Sequence, residues 1–146
     1  MPNNHEWQSR IKAVEREYVA MQQAAEHFLR AAQDNPTILR ENVKHREIVK
    51  ASRNLQGTYI IRLFAEFETG ARQFWATIKD TFPKTADLLD GLAARRRIPV
   101  LQRDNAHLVR EYRNTLVHEP EDKPEIAIAE ARSYLCTFFS FLPPRW

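Results

Sequence analysis

Residues 51–80, ASRNLQGTYIIRLFAEFETGARQFWATIKD, carry a broad apolar pattern at helical spacing. One row of large side chains forms the main stripe of this pattern: Leu55, Tyr59, Leu63, Phe67, Phe74 and Ile78. A second row widens the stripe: Ile60, Phe64, Ala71 and Trp75. An apolar face this wide predicts a long central helix that is touched on two sides or shared with a second subunit.

A second long helix is predicted upstream, over residues 5–33. Its apolar residues are spaced alternately by four and three positions: Trp7, Ile11, Val14, Tyr18, Met21, Ala25, Phe28 and Ala32. Such a stripe suits one helix of a bundle, although a coiled-coil seam has the same spacing. Residues 37–50 are ambiguous between a short helix and a polar loop.

Three shorter helices are predicted downstream. One covers residues 85–96, with Thr85 as its N-cap. The next begins at Pro99, because proline favours the start of a helix, and ends before Pro120, because the residue before proline disfavours helical angles. The last covers residues 125–142. The sequence therefore predicts an all-α bundle of about five helices with a long central helix, as a single domain over residues 1–146.

Composition supports this fold class and limits the function classes. The chain has 3 glycines, too few for the turns of an all-β protein, and its 8 prolines fall mostly at helix edges. The net charge of +3 and the pI of about 9.2 permit nucleic-acid binding without requiring it. The single cysteine, Cys136, is expected to be a buried apolar residue. No membrane span or signal peptide is recognisable, so a cytoplasmic protein is expected.

The run Arg113-Asn114-Thr115-Leu116-Val117-His118 is not explained by the apolar pattern. An arginine offers a planar fork of donors for phosphate, and a histidine exchanges protons near neutral pH. Five residues of ideal helix would leave Arg113 and His118 about 140° apart. Pro120 follows closely, so an unwound last turn is expected to let the imidazole swing back towards the arginine. Asn114 could hydrogen-bond a phosphate, a ribose hydroxyl or the frayed helix end.

At this point the sequence resembles the HEPN superfamily, whose signature is an arginine, a polar residue and a closing histidine late in a small all-α domain. Arg113, Asn114 and His118 match these three positions. The resemblance covers this short motif and the helical layout of roughly the whole chain. It implies a homodimer in which two motifs face one cleft. Many members are endoribonucleases that need no metal or other cofactor and act as toxins of toxin–antitoxin pairs or in antiviral defence.

The resemblance also implies a mechanism, in which an RNA 2′-hydroxyl attacks the neighbouring phosphorus. His118 would be the general acid or base, Arg113 would stabilise charge on the phosphoryl oxygens, and Asn114 would orient the phosphate. In some members a partner nucleotidyltransferase modifies a tyrosine two residues after the histidine. Pro120 occupies that position here, so this mode of control is not expected, whatever the antitoxin protein.

Further basic residues are candidates for RNA contact. Arg110 lies one turn before Asn114 and would extend the cationic surface, unless it serves only solubility. A second basic group ends the preceding helix: Arg95, Arg96 and Arg97. These three arginines could bind the RNA backbone, or they could simply be a solvated helix end favoured by the helix dipole.

Glu66 is a candidate for the carboxylate that orients Arg113 across the bundle. It lies between Leu63 and Phe67 on the central helix. The alternatives are an exposed glutamate or an ion pair with Arg62 one turn earlier.

Two further hypotheses remain open. In the first, the chain is a non-catalytic HEPN-like module that binds a nucleotide, RNA or a partner protein. In the second, it is a helical dimerisation protein in which His118 only caps a helix and Arg113 forms a surface ion pair with Glu111 or Glu119.

Overall fold

The computed structural model describes residues 3–118 and 125–146, and in these parts of the chain it contains five α-helices and no strand. The predicted all-α helical bundle is therefore confirmed. A single 3-10 turn, Pro36–Ile38, interrupts the connection between the two longest helices. In chain order the helices are α1 (Asn4–Asp34), α2 (His45–Ala76), α3 (Thr85–Arg96), α4 (Val100–Val117) and α5 (Ile128–Ser140).

The central helix, α2, is displaced towards the N-terminus from its predicted range of residues 51–80. It begins at His45 because the Glu47 carboxylate accepts a hydrogen bond from the Lys44 backbone N–H, at 2.9 Å. It ends at Ala76, and Thr77 caps it. At α3 the predicted N-cap was wrong by one position. Lys84 is the N-cap, and the Thr85 hydroxyl instead donates to the Glu68 carboxylate of α2 at 2.7 Å.

The core is centred on Phe67 of α2, which is fully buried. Its ring meets the rings of Phe64, Phe138 and Phe139 at centroid distances of 5.5, 5.6 and 6.0 Å. Gly70, one turn later, lets α1 and α5 approach α2 closely. A Cβ atom there would lie only 2.7 Å from the Trp7 ring and 2.8 Å from the Phe139 ring. α2 is therefore packed on more than one side, as its wide apolar face predicts.

Only the first half of the apolar stripe on α1 is fully covered. Trp7, Ile11, Val14 and Tyr18 are buried, whereas Met21 and Phe28 are 46% and 37% exposed. α5 begins at the level of Gln56, whose side-chain oxygen accepts from the Ile128 N–H at 3.0 Å. Beyond that level, the ends of α1 and α2 pack on each other. We call residues 21–54 the two-helix arm.

The two ends of the chain are joined by hydrogen bonds from Asn4. Its side-chain amide donates to the carbonyl oxygens of Phe139 and Leu142, both at 2.9 Å, and its backbone N–H donates to Pro144 at 3.1 Å. The Phe139 carbonyl belongs to the last turn of α5 and also accepts from the Leu142 N–H at 3.0 Å, whereas Leu142 and Pro144 lie beyond the helix. Trp146 then packs on Phe74 and Phe139.

Cys136 is buried and free, as its apolar neighbours predict. Burial raises the pKa of its thiol above the ordinary value, so little of the reactive thiolate is present at neutral pH. None of the helices in the described ranges is long and apolar enough to cross a membrane.

We expect Asn4→Ala to lower the free energy of unfolding by about 1–3 kcal/mol, because the carbonyl groups of Phe139 and Leu142 each lose the hydrogen bond from the Asn4 amide. Gln22→Ala, at an exposed position of the same helix, should change it by less than about 0.5 kcal/mol. Urea denaturation followed by circular dichroism measures both values. Equal stability of the two variants would contradict the role of Asn4 at the chain ends.

Candidate functional site

Arg113 lies on the inward face of α4. Ala106 and Val109 are fully buried on this face, and positions 106, 109 and 113 are spaced by three and four residues, as one side of a helix requires. The arginine therefore points towards α2 rather than into solvent. This periodicity is visible in the sequence, but two larger apolar residues of α4, Leu101 and Leu108, do not share it. Both leucines are exposed.

The guanidinium of Arg113 is held between an aromatic ring and a carboxylate. Its central carbon lies 4.7 Å from the centroid of the Phe64 ring, and one terminal nitrogen lies 3.7 Å from Oε2 of Glu68. The side chain is 22% exposed. Its Nε atom is buried and has no hydrogen-bond partner. An unpaired buried donor of this kind is costly.

Glu68 connects three helices, because its other oxygen binds Thr85 of α3 while Oε2 faces Arg113 of α4. Oε1 accepts from the Thr85 hydroxyl at 2.7 Å and from two nitrogens of Arg72 at 2.9 and 3.1 Å. Arg72 also donates to the Pro83 carbonyl at 2.9 Å, which anchors the loop between α2 and α3. One carboxylate thus serves two guanidinium groups, Arg72 and Arg113. Their combined charge leaves the site with an excess of positive charge, which favours an anionic ligand.

The predicted orienting carboxylate, Glu66, was the wrong residue. Among the described residues, Glu68 is the carboxylate paired with Arg113. Phe64 and Glu68 are one turn apart on the same face of α2, whereas Glu66 is about 200° away from either of them around the helix axis. The alternative pairing of Glu66 with Arg62 does not form either, because Arg62 pairs with Glu17 of α1 at 2.7 Å.

His118 is the C-cap of α4 and has extended backbone angles, φ −100° and ψ −170°. Its N–H donates to the carbonyl oxygen of Asn114 at 2.9 Å, so the helix stays regular up to Val117. The imidazole is exposed, and within residues 3–118 and 125–146 it makes no hydrogen bond or ion pair with Arg113. The expected swing of the imidazole back onto the arginine is therefore not seen in the single chain. Pro120, which was expected to cause it, lies outside the described residues.

Arg110 is held by a neighbouring histidine. Its Nε donates to Nδ1 of His107 at 3.1 Å, and Nε2 of His107 lies 2.7 Å from the Asp90 carboxylate of α3. Because a guanidinium can only donate, Nδ1 must accept, so the proton is on Nε2 and points at Asp90. This chain of hydrogen bonds joins α3 to α4. Arg110 therefore has a structural role here, and its side chain is only 19% exposed.

The arginine run at the end of α3 is exposed but distant from Arg113. Glu68 meets α3 at Thr85, its first residue, so the length of α3, about 18 Å, separates Arg113 from the run. Arg96 donates to the Phe141 carbonyl at 2.9 Å, and Arg97 caps α3 in the left-handed conformation, with φ 52°. The structure does not bring Arg95, Arg96 and Arg97 into one site with Arg113.

A polar cleft of about 510 Å³ lies beside the end of α4 and was not predicted from the sequence. Its walls include Arg53, Asn54 and Thr58 of α2, Tyr112 and Leu116 of α4, and Glu125. Desolvation and the nearby charge of Glu125 raise the pKa of the Tyr112 hydroxyl, which therefore stays a neutral group at physiological pH. The sequence does not indicate that these α2 residues lie beside the end of α4, because they share no motif with residues 113–118.

No group of three or more His, Cys, Asp or Glu side chains that could hold a metal ion occurs within residues 3–118 and 125–146. Comparison of the chain with models of protein families, with curated proteins and with solved structures finds no match.

We expect Glu68→Gln to lower the free energy of unfolding by about 1–3 kcal/mol, because Arg72 and Arg113 lose the carboxylate that they share. Glu66→Gln is a matched control, since it removes the same charge two residues away on the same helix, and should cost less than about 0.5 kcal/mol. Chemical denaturation of the two variants measures the difference. A larger loss for Glu66→Gln would reverse this assignment of the carboxylate.

Proposed function

We propose that this protein is a metal-independent endoribonuclease that resembles the HEPN superfamily and acts as a homodimer. The observation that supports this proposal best is the state of Arg113. Its guanidinium is fixed by Phe64 and Glu68, and its Nε donor is buried without a partner, five residues before the exposed His118. An anchored cation with an unused donor is suited to a phosphodiester oxygen.

In the proposed reaction the RNA 2′-hydroxyl attacks the neighbouring phosphorus. The new bond joins O2′ to phosphorus, the bond from phosphorus to O5′ breaks, and the products end in a 2′,3′-cyclic phosphate and a 5′-hydroxyl. One imidazole takes the proton from the 2′-hydroxyl and one imidazolium gives a proton to O5′. Arg113 stabilises the charge that develops on the non-bridging oxygens, and Asn114 orients the phosphate.

A dimer supplies what the single chain lacks. In one chain, Arg113 points into the bundle and His118 faces solvent at the helix end. One imidazole has a single protonation state at a time, so a lone His118 cannot be both base and acid for one phosphate. Two copies with their α4 ends together would offer two histidines, one in each protonation state. The RNA would be single-stranded or in a loop, because in-line attack needs a flexible backbone. A toxin held inactive by an antitoxin protein is the corresponding biological role.

A second candidate function is a non-catalytic module that binds RNA, a nucleotide or a partner protein. Its support is the ion pair of Arg113 with Glu68 and the absence, within the described residues, of a hydrogen bond or ion pair between Arg113 and His118. In this case the same anchored guanidinium would bind a phosphate without cleaving a bond.

We expect the purified protein to cleave single-stranded RNA in the presence of EDTA. His118→Ala should lower the rate by about 10²- to 10⁴-fold because it removes the proton-transfer group. Arg113→Ala should lower it by roughly 10²- to 10³-fold because it removes transition-state charge stabilisation. Gel analysis with end-group mapping should find cyclic phosphates and 5′-hydroxyls.

The control variants are His27→Ala and Arg30→Ala, which change the same residue types at exposed positions of α1. They should cleave at the wild-type rate, which would exclude a contaminating nuclease if the two site variants are inactive. RNA binding without cleavage by the wild type would select the non-catalytic module. If the wild type neither binds nor cleaves RNA, the remaining hypothesis is a helical dimerisation protein.

A further inference from the structure

Three cations lie on one face of the two-helix arm. Arg46, Lys50 and Arg53 are spaced by four and three residues near the start of α2, so their side chains follow one line along the helix. All three are exposed. The line rises about 10 Å along the helix axis from Arg46 to Arg53. We call these three residues the basic row.

Folding does not explain the basic row. Arg46 lies in the first turn of α2, where a cation faces the positive end of the helix dipole, which is unfavourable. None of the ion pairs recorded for residues 3–118 and 125–146 involves the three residues. The nearest acidic residue in the sequence, Glu47, already accepts a hydrogen bond from the Lys44 N–H. The positive helix end and the three cations would together attract a polyanion.

The basic row leads directly into the polar cleft beside the end of α4. Arg53 is both the last residue of the row and part of the cleft wall, and Leu116 of α4 lies on another wall of the same cleft. Leu116 packs closely on α2, where a Cβ at Gly57 would be 3.1 Å from its side chain. His118 follows two residues later. A chain of phosphates bound along the row would therefore arrive at the helix end that carries His118.

We propose that the basic row and the polar cleft form a track for the backbone of single-stranded RNA, which guides the strand to the end of α4. Arg46, Lys50 and Arg53 each contact a phosphate, and the row of about 10 Å covers roughly three steps of a stacked strand at roughly 3.4 Å each. Asn54 and Thr58 offer hydrogen-bonding groups to the strand within the cleft. RNA binding by this surface does not depend on the proposed ribonuclease function. The role of the track in guiding the strand to an active site does rest on that function.

The track replaces the arginine run of α3 as the main contact for the RNA backbone. Both groups are basic and exposed, but only the basic row is continuous with a cleft at the helix end that carries the motif. The run at Arg95, Arg96 and Arg97 lies at the other end of α3, and Arg96 already donates to a main-chain carbonyl.

The test uses a 2′-O-methyl oligonucleotide, which cannot undergo attack by a 2′-hydroxyl, so that binding is measured without cleavage. Fluorescence anisotropy is recorded over a series of salt concentrations. The row variant is Arg46→Gln/Lys50→Gln/Arg53→Gln. The charge-matched control is Lys12→Gln/Arg16→Gln/Arg145→Gln, which also removes three exposed cations, from α1 and the C-terminal segment. Thermal melting checks that both variants are folded.

We expect the row variant to bind on the order of tenfold more weakly at low salt. The negative slope of log K against log salt should become shallower by about 2, or about 0.7 per lost phosphate contact. The control should keep most of the wild-type slope. The melting temperature of the row variant should not fall, because all three side chains are exposed and Arg46 opposes the helix dipole. An equal effect of both variants, no effect of the row variant, or no binding by the wild type would each overturn the track.

The two proposals fail in different ways. If the wild type binds the methylated strand through the basic row but never cleaves unmodified RNA, the track stands and the ribonuclease function falls. If the row variant cleaves RNA at the wild-type rate, the ribonuclease function stands and the track falls. Preference for a polyglutamate peptide over the oligonucleotide would overturn the track in favour of an acidic protein partner.

Discussion

The burial of the middle of α2 is the constraint on which the rest of the molecule depends. Phe67 is fully buried among aromatic rings from α2 and α5, and Gly70 allows Trp7 of α1 and Phe139 of α5 to approach the helix backbone. An apolar face this wide must be covered from several directions to leave water. α1, α3, α4 and α5 are placed by that requirement, and the candidate site lies where α4 meets this helix.

The same packing explains how a charged side chain comes to lie inside the bundle. Arg113 follows Ala106 and Val109 on the inward face of α4, so it reaches Phe64 and Glu68 when α4 docks on α2. Breaking such a partly buried ion pair by removing one partner leaves an uncompensated charge, so Glu68 links stability to the site. A guanidinium positioned in this way loses little entropy when it binds a phosphate, which is useful for catalysis or binding.

The arm extends the bundle without adding much to its core, since Met21 and Phe28 remain exposed there. Its long helices nevertheless carry the basic row to the cleft beside α4. Stability and the proposed RNA contact are thus located in different parts of α2. The middle of the helix is apolar and packed, and its N-terminal part is charged and exposed, with Arg46 placed against the helix dipole.

The fold class followed from residues 51–80 and from the alternating spacing on α1, because an apolar stripe is a local property of the sequence. The motif at residues 113–118 was also visible, and the 3-4 spacing after Ala106 could have placed Arg113 on the inward face. Which carboxylate meets Arg113 was not predictable by proximity to apolar residues, because Glu66 and Glu68 differ only in their direction around α2. Likewise, Arg53 and Leu116 share a cleft only because α2 and α4 pack together. Local periodicity is encoded along the chain, whereas contacts between distant residues depend on how the helices dock, and only the tertiary structure decided those.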